Sequence, residues 1–141
     1  MKKFIMILAA ILVISVSANA RDRYARSASV LPVAAQSVLS KNFKAGVSLV
    51  KIERSEFEVT LLDGSEISFD KKGNWESVEV SERHEVPAAF LPQEVRNYVK
   101  KNHKDARIVG IDKERNGYEV ELSNGIDIKF DRSGRFVRYD D

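Results

Sequence analysis

Cysteine is absent from the 141 residues, and histidine is limited to His84 and His103. No disulfide framework can form, and a structural zinc site built on Cys and His is excluded with it. Trp75 is the sole tryptophan, and one apolar run, Phe4 to Ile14, stands out from an otherwise mixed chain. Charge of one sign is missing too. The 23 basic residues exceed the 21 acidic ones by two, and Lys2 and Lys3 account for that excess. Nucleic-acid binding rests on phosphate neutralisation, so a nucleic-acid partner loses its main support once those two lysines are set aside.

They are set aside because residues 1–20 have the form of an export signal. Lys2-Lys3 supply a positive start, Phe4 to Ile14 the apolar stretch, and Ala18-Asn19-Ala20 a small-x-small cleavage site after Ala20. The run is too short for a membrane anchor, and without a cysteine there is no lipid attachment at the new N-terminus. The expected location is the periplasm or the medium. Roughly 120 remaining residues suffice for one ordinary domain, which must be held by its core.

What the chain does contain is a repeat. Phe57 to Trp75 reads FEVTLLDGSEISFDKKGNW and Tyr118 to Phe136 reads YEVELSNGIDIKFDRSGRF, an offset of 61. Upstream, Leu31-Pro32 matches Leu91-Pro92 and Leu49 matches Val109 at an offset of 60, which we ascribe to a shorter turn at Arg54-Ser55-Glu56 than at Asn116-Gly117. One supersecondary unit used twice is the direct reading.

Each copy reads as a helix followed by four strands. Prolines 32 and 92 suit helix starts. Ala35, Val38, Leu39 and Phe43, then Val95, Tyr98, Val99 and His103, fall on helix faces at spacings of three and four. Asp63-Gly64 and Asn124-Gly125 fit type I′ hairpins, while Asp70 to Gly73 and Asp131 to Gly134 fit longer turns. Alternation puts Phe57, Val59, Leu61, Ile67 and Phe69 on one strand face, and Tyr118, Val120, Leu122, Ile128 and Phe130 on the matching face. The expected fold is α+β: a tandem duplication of a helix-plus-four-strand unit. Its antiparallel sheet has about eight strands, with two helices packed on one face and the other face open. Residues 21–29 form a flexible leader. A single domain covers 30–141 as repeats 30–80 and 90–141, joined by a linker at 81–89.

No catalytic set emerges. Asp70 and Asp131 stand where a calcium loop would need further oxygen ligands, but Lys or Arg fills those places, so they are read as bonding their own turns. The pairs Glu58 with Glu66 and Glu119 with Asp127 could suggest two-carboxylate hydrolysis, yet they lie on the face expected to be wet. His84 has no marked nucleophile near it. The basic residues Arg96, Lys100, Lys101 and Lys104 are read as a solvated helix face, and Trp75 as a core position. Period-two counting places Val78, Val80, Val137 and Tyr139 opposite Trp75 and Phe136. With Leu62, which falls among polar residues, they make an apolar strip on the open face, the candidate partner-binding residues.

The pattern Leu91-Pro92, Val95, Tyr98-Val99, followed by Tyr118 to Gly125 and Ile128 to Phe136, resembles the PepSY-like, beta-lactamase-inhibitor-like family of exported bacterial proteins. The resemblance spans Leu31 to Asp141 in two copies. It implies a duplicated helix-plus-four-strand fold outside the cytoplasm, similar to an inhibitory protein that plugs an enzyme with its open sheet face. No inhibitory residue can be aligned. The expectation is a non-enzymatic binding module for a protein or peptide of the cell envelope, an inhibitor being one form, acting through the open sheet face without metal or cofactor. The alternative is a small-ligand or envelope-stress carrier with a pocket between helices and sheet.

Overall fold

The computed structural model describes residues 23–81 and 83–140. The export segment 1–20 lies outside the described residues. Nine strands follow one another in chain order through an antiparallel sheet: β1 (Arg23–Ala25), β2 (Val47–Ile52), β3 (Glu56–Leu61), β4 (Glu66–Asp70), β5 (Trp75–Glu79), β6 (Ile108–Glu114), β7 (Gly117–Leu122), β8 (Asp127–Asp131) and β9 (Phe136–Asp140). Helix α1 (Val33–Asn42) precedes β2 and helix α2 (Gln93–Asn102) precedes β6. The α+β class is as expected, but the strand number is nine.

The extra strand comes from the supposed flexible leader. Tyr24 lies opposite Lys51 and Ala25 opposite Val50. Without β1, β2 would present a row of unpaired backbone groups, and pairing satisfies them. Ser27 then anchors a short 3-10 turn at Ala28–Val30, its Oγ accepting from Ser29 N at 3.1 Å.

The chain divides into two compact units, one ending at Glu76 and one starting at Ser77. In the first, Ala35 and Leu39 of α1 are buried together with Val50, Phe57, Val59, Leu61, Ile67 and Phe69. In the second, Val95 and Val99 of α2 are buried with Ile111, Val120, Leu122, Ile128 and Phe130. Each fully buried aliphatic or aromatic side chain contributes about 1.5–3 kcal/mol. Pro32 and Pro92 stand one place before their helices, and their carbonyls accept the first helical bonds, from Gln36 N at 3.1 Å and Arg96 N at 3.2 Å. Phe43 and His103, expected to extend the apolar stripes, instead close the helices: their N–H groups bond Leu39 O and Val99 O.

The hairpins differ from expectation in one respect. Gly64 N donates to Leu61 O and Leu61 N to Ser65 O, and the same pair recurs at Gly125, Leu122 and Ile126. These are three-residue loops with glycine at a bulge, not two-residue type I′ loops; both forms accept Asp-Gly or Asn-Gly. The one-residue change of offset also lies elsewhere. Glu53 N bonds Glu56 O across two residues, and Glu114 lies opposite Gly117 across two residues. Val47 opposite Leu61 matches Ile108 opposite Leu122, so the offset is already 61 at the start of β2 and β6. The added residue therefore sits between helix and strand, where 103–108 is one longer than 43–47. A loop takes an insertion that a paired turn would transmit to the register.

Two glycines bring helix and hairpin together. A Cβ on Gly73 would stand 3.0 Å from Pro32 Cβ and 3.1 Å from Ala35 N; one on Gly134 would stand 3.0 Å from Glu94 Cβ. Both also have φ near +90°. Each helix start thus rests on the turn between the last two strands of its own unit.

Candidate binding surface

Strand β9 has one neighbour among the described residues, β8. It begins with one extra residue. Phe130 lies opposite Phe136 but Lys129 lies opposite Arg138, leaving Val137 as the bulge. Past the bulge the alternation restarts, so Tyr139 lies opposite Ile128 and points to the same side as Phe136. Period-two counting had put them on opposite sides. The same spacing of three separates Trp75 from Val78. Val78 lies opposite Ile111, which lies opposite Val120, which lies opposite Ile128, a row that is buried throughout.

The expected apolar strip on the open face therefore does not form. Val78 and Val80 are buried and cannot meet a partner in this state. Leu62 is 73% exposed at the β3–β4 hairpin, beside Gly46. Tyr139, on the helix side, is 44% exposed, Val137 50% and Phe136 39%. The last three lie on one strand, where the rings of Phe136 and Tyr139 meet at 5.0 Å and exposed Arg138 separates Val137 from Tyr139 in sequence.

Helix α2 holds that strand in place. The Tyr98 ring stacks on Phe136 at 4.8 Å between centroids, 8° from parallel, and meets Phe130 edge-on at 5.6 Å. Tyr98 and Tyr139 hydroxyls share a hydrogen bond at 2.8 Å, and His103 Nε2 lies 3.0 Å from the Tyr139 hydroxyl. Burial, then the bond to Tyr139, pushes the Tyr98 hydroxyl up to about 12, so it stays protonated at any physiological pH. Tyr98 and His103 had been read as parts of a helix stripe. Their ring chemistry, an aromatic on α2 and an imidazole at its C-cap five residues on, was the available signal.

The face opposite the helices is crowded with carboxylates. One oxygen each from Glu53, Glu56 and Glu58 lies within 4.8 Å of the others. Burial, then Glu53 and Glu58, pushes Glu56 up to about 7; burial, then Glu58, does the same to Glu66. Glu58, one of the supposed hydrolytic pair, therefore acts on Glu66 by raising it. In the second unit Lys129 Nζ donates to Glu114 Oε1 at 3.0 Å and lies 3.6 Å from Glu119 Oε1. Glu119 is buried beneath that bridge and is pushed up to about 7, by burial first. Asp127, its sequence partner, lies opposite Glu121 instead. His84 Nδ1 bonds Ser81 Oγ at 2.8 Å, an exposed local contact in the linker. Asp70 and Asp131 bond their own turns: Asp70 Oδ1 accepts from Lys72 N and Asn74 N, and Asp131 Oδ1 from Ser133 N and Arg135 N, all at 2.9 Å.

The comparisons agree with this fold. The model of a family described as "Putative beta-lactamase-inhibitor-like, PepSY-like" matches residues 55–138. A solved structure from Bacteroides vulgatus, a "putative periplasmic protein of unknown function", is 35% identical with a TM-score of 0.81, over 85% of this chain and 99% of that one. A "putative calcium-regulated periplasmic protein" from Bacteroides thetaiotaomicron is 33% identical with a TM-score of 0.79, over 85% and 97%. A second B. vulgatus protein, also described as periplasmic, is 32% identical with a TM-score of 0.78, over 89% and 100%. No curated protein matches. No helix among the described residues is long and apolar enough to cross a membrane.

Proposed function

The chain belongs to the PepSY-like family, and on that premise we propose that it is an exported, non-enzymatic module that binds a protein or peptide of the cell envelope. The leader-like residues 1–20 and the periplasmic relatives support export. The internal match at an offset of 61 supports reading the two units as copies of one ancestral unit. The single observation that carries the binding reading is strand β9. A strand whose outer backbone groups have no partner strand among the described residues, and which carries three exposed apolar residues, is what soluble proteins usually avoid. An extended partner segment added alongside β9 would pair those groups and cover Phe136, Val137 and Tyr139. Contact thus moves from the open face to the edge, because Val78 and Val80 are buried and Tyr139 lies on the helix side. An enzyme blocked by such contact is one form the partner can take.

The test is affinity capture from envelope extract with the natural chain, Val137→Asp and Leu62→Asp. Val137 is a bulge residue, so the charge should leave the fold intact. The expected result is one partner retained by the natural chain and by Leu62→Asp, and lost with Val137→Asp. Equal capture by all three would remove β9 from consideration.

A second reading rests on Glu53, Glu56 and Glu58. A hard divalent cation favours converging carboxylates, and one relative is described as calcium-regulated. Calcium held there would relieve the repulsion that raises Glu56. Thermal unfolding with calcium, magnesium or chelator separates the cases. A calcium-specific rise in Tm that Glu56→Gln abolishes favours this reading, and identical curves remove it.

A further inference from the structure

A cavity of about 290 Å³ opens in the second unit, between α2, the linker before it and the start of β6. Its floor is apolar: Val86, Leu91, Val99 and Ile108. Val86, Val99 and Ile108 are buried, and Val86 N donates to Ile108 O at 2.8 Å, which ties the linker to the sheet. Its rim is basic. Arg96 and Lys100 on α2 and Lys104 in the turn after it stand there against a single acid, Glu85. Spacing alone describes a solvated face, and the cavity beside it changes that reading. Arg96 is half-buried at the rim: one guanidinium nitrogen donates to Gln93 Oε1, an exposed contact, while its Nε is shielded from solvent without a hydrogen-bond partner. A buried, charged N–H without an acceptor is costly, and a bound carboxylate would supply that acceptor.

We propose that this cavity binds a small amphipathic anion, a monocarboxylate whose short apolar tail lies on Val86, Val99 and Ile108 and whose head meets Arg96. Lys100 and Lys104 raise the local anion concentration at the mouth. The apolar floor disfavours a bare inorganic anion, and the three cations disfavour an amine or a neutral lipid. The cavity shares His103 with the β9 contact, but the failure of anion binding would leave the partner-strand reading untouched.

Octanoate is the probe, with octylammonium and propionate as controls of charge and tail, followed by amide NMR on the exported chain. Octanoate should shift the amides of Val86, Val99 and Ile108 saturably, and neither control should do so at the same concentration. Arg96→Gln should weaken octanoate binding about tenfold or more, the scale of one lost charge-assisted bond. Lys100→Gln with Lys104→Gln, both at exposed positions, should weaken it as well and keeps the test open if Arg96→Gln does not fold. Absent or non-saturating shifts would overturn the proposal. So would equal binding of octylammonium, which marks a greasy cavity without charge selection, or undiminished binding by folded variants.

Discussion

Gly125 and Gly134 have nearly the same backbone conformation, φ +90° and +85°, in two turns of the same unit. Their surroundings differ. A Cβ on Gly125 would meet nothing within 4 Å, whereas one on Gly134 would stand 3.0 Å from Glu94 Cβ, 3.3 Å from Pro92 Cβ and 3.5 Å from Val95 Cγ2. Replacing each with alanine separates backbone strain from close approach. Gly125→Ala should cost about 1–2 kcal/mol, the penalty of a left-handed non-glycine residue. Gly134→Ala carries the same penalty plus an overpacking cost of about 1–3 kcal/mol. Its nearest neighbour is a Cβ fixed to a helix, so the helix itself must move. The total is about 2–5 kcal/mol. Equilibrium urea unfolding reads this as a lower midpoint at unchanged slope. A gap of at least about 1 kcal/mol between the two variants is expected. Equal losses would refute the claim that α2 is seated on the β8–β9 turn. Gly73→Ala should behave like Gly134→Ala in the first unit.

Acidification should stabilise the chain. Glu56, Glu66 and Glu119 titrate near 7 when folded against an ordinary 4.5, so between those values the folded state holds protons that the unfolded state has released. Their contribution is complete below about pH 4.5 and is lost as pH rises through 7. Tm should be higher at pH 5 than at pH 8, and a flat or opposite profile would refute the assignment. Val78→Asp buries an unpaired charge and should cost about 3–5 kcal/mol, while Leu62→Asp should be near neutral; similar circular-dichroism melts for the two would contradict their placement. Tyr139→Phe removes the hydroxyl shared by Tyr98 and His103. It should cost about 1 kcal/mol and speed hydrogen exchange in β9 more than in β7, and unchanged exchange would refute the tether.

Hairpins, helices and the buried strand face were legible because they are local or periodic. Phe57, Val59, Ile67 and Phe69 alternate, and the turn residues name themselves. The bulge at Val137 was not legible. It is a choice of register made by Lys129 and Arg138 across strands, and one extra residue reverses every later side chain. That reversal took Tyr139 off the supposed binding face. Strand β1 was hidden for a related reason: three residues of mixed polarity have no periodicity, and only the unpaired edge of β2 recruits them. The cavity at Arg96 was unreadable as well, because the helix stripe shows charge while the apolar floor comes from distant positions such as Val86 and Ile108.

Photo-crosslinking in the living envelope tests the binding reading most directly. A benzoylphenylalanine placed at position 137, with the more exposed position 62 as control, reports what touches β9. A discrete adduct from 137 that is absent from 62 is expected. No adduct at 137, or one formed at 62 alone, would contradict recognition along the terminal strand.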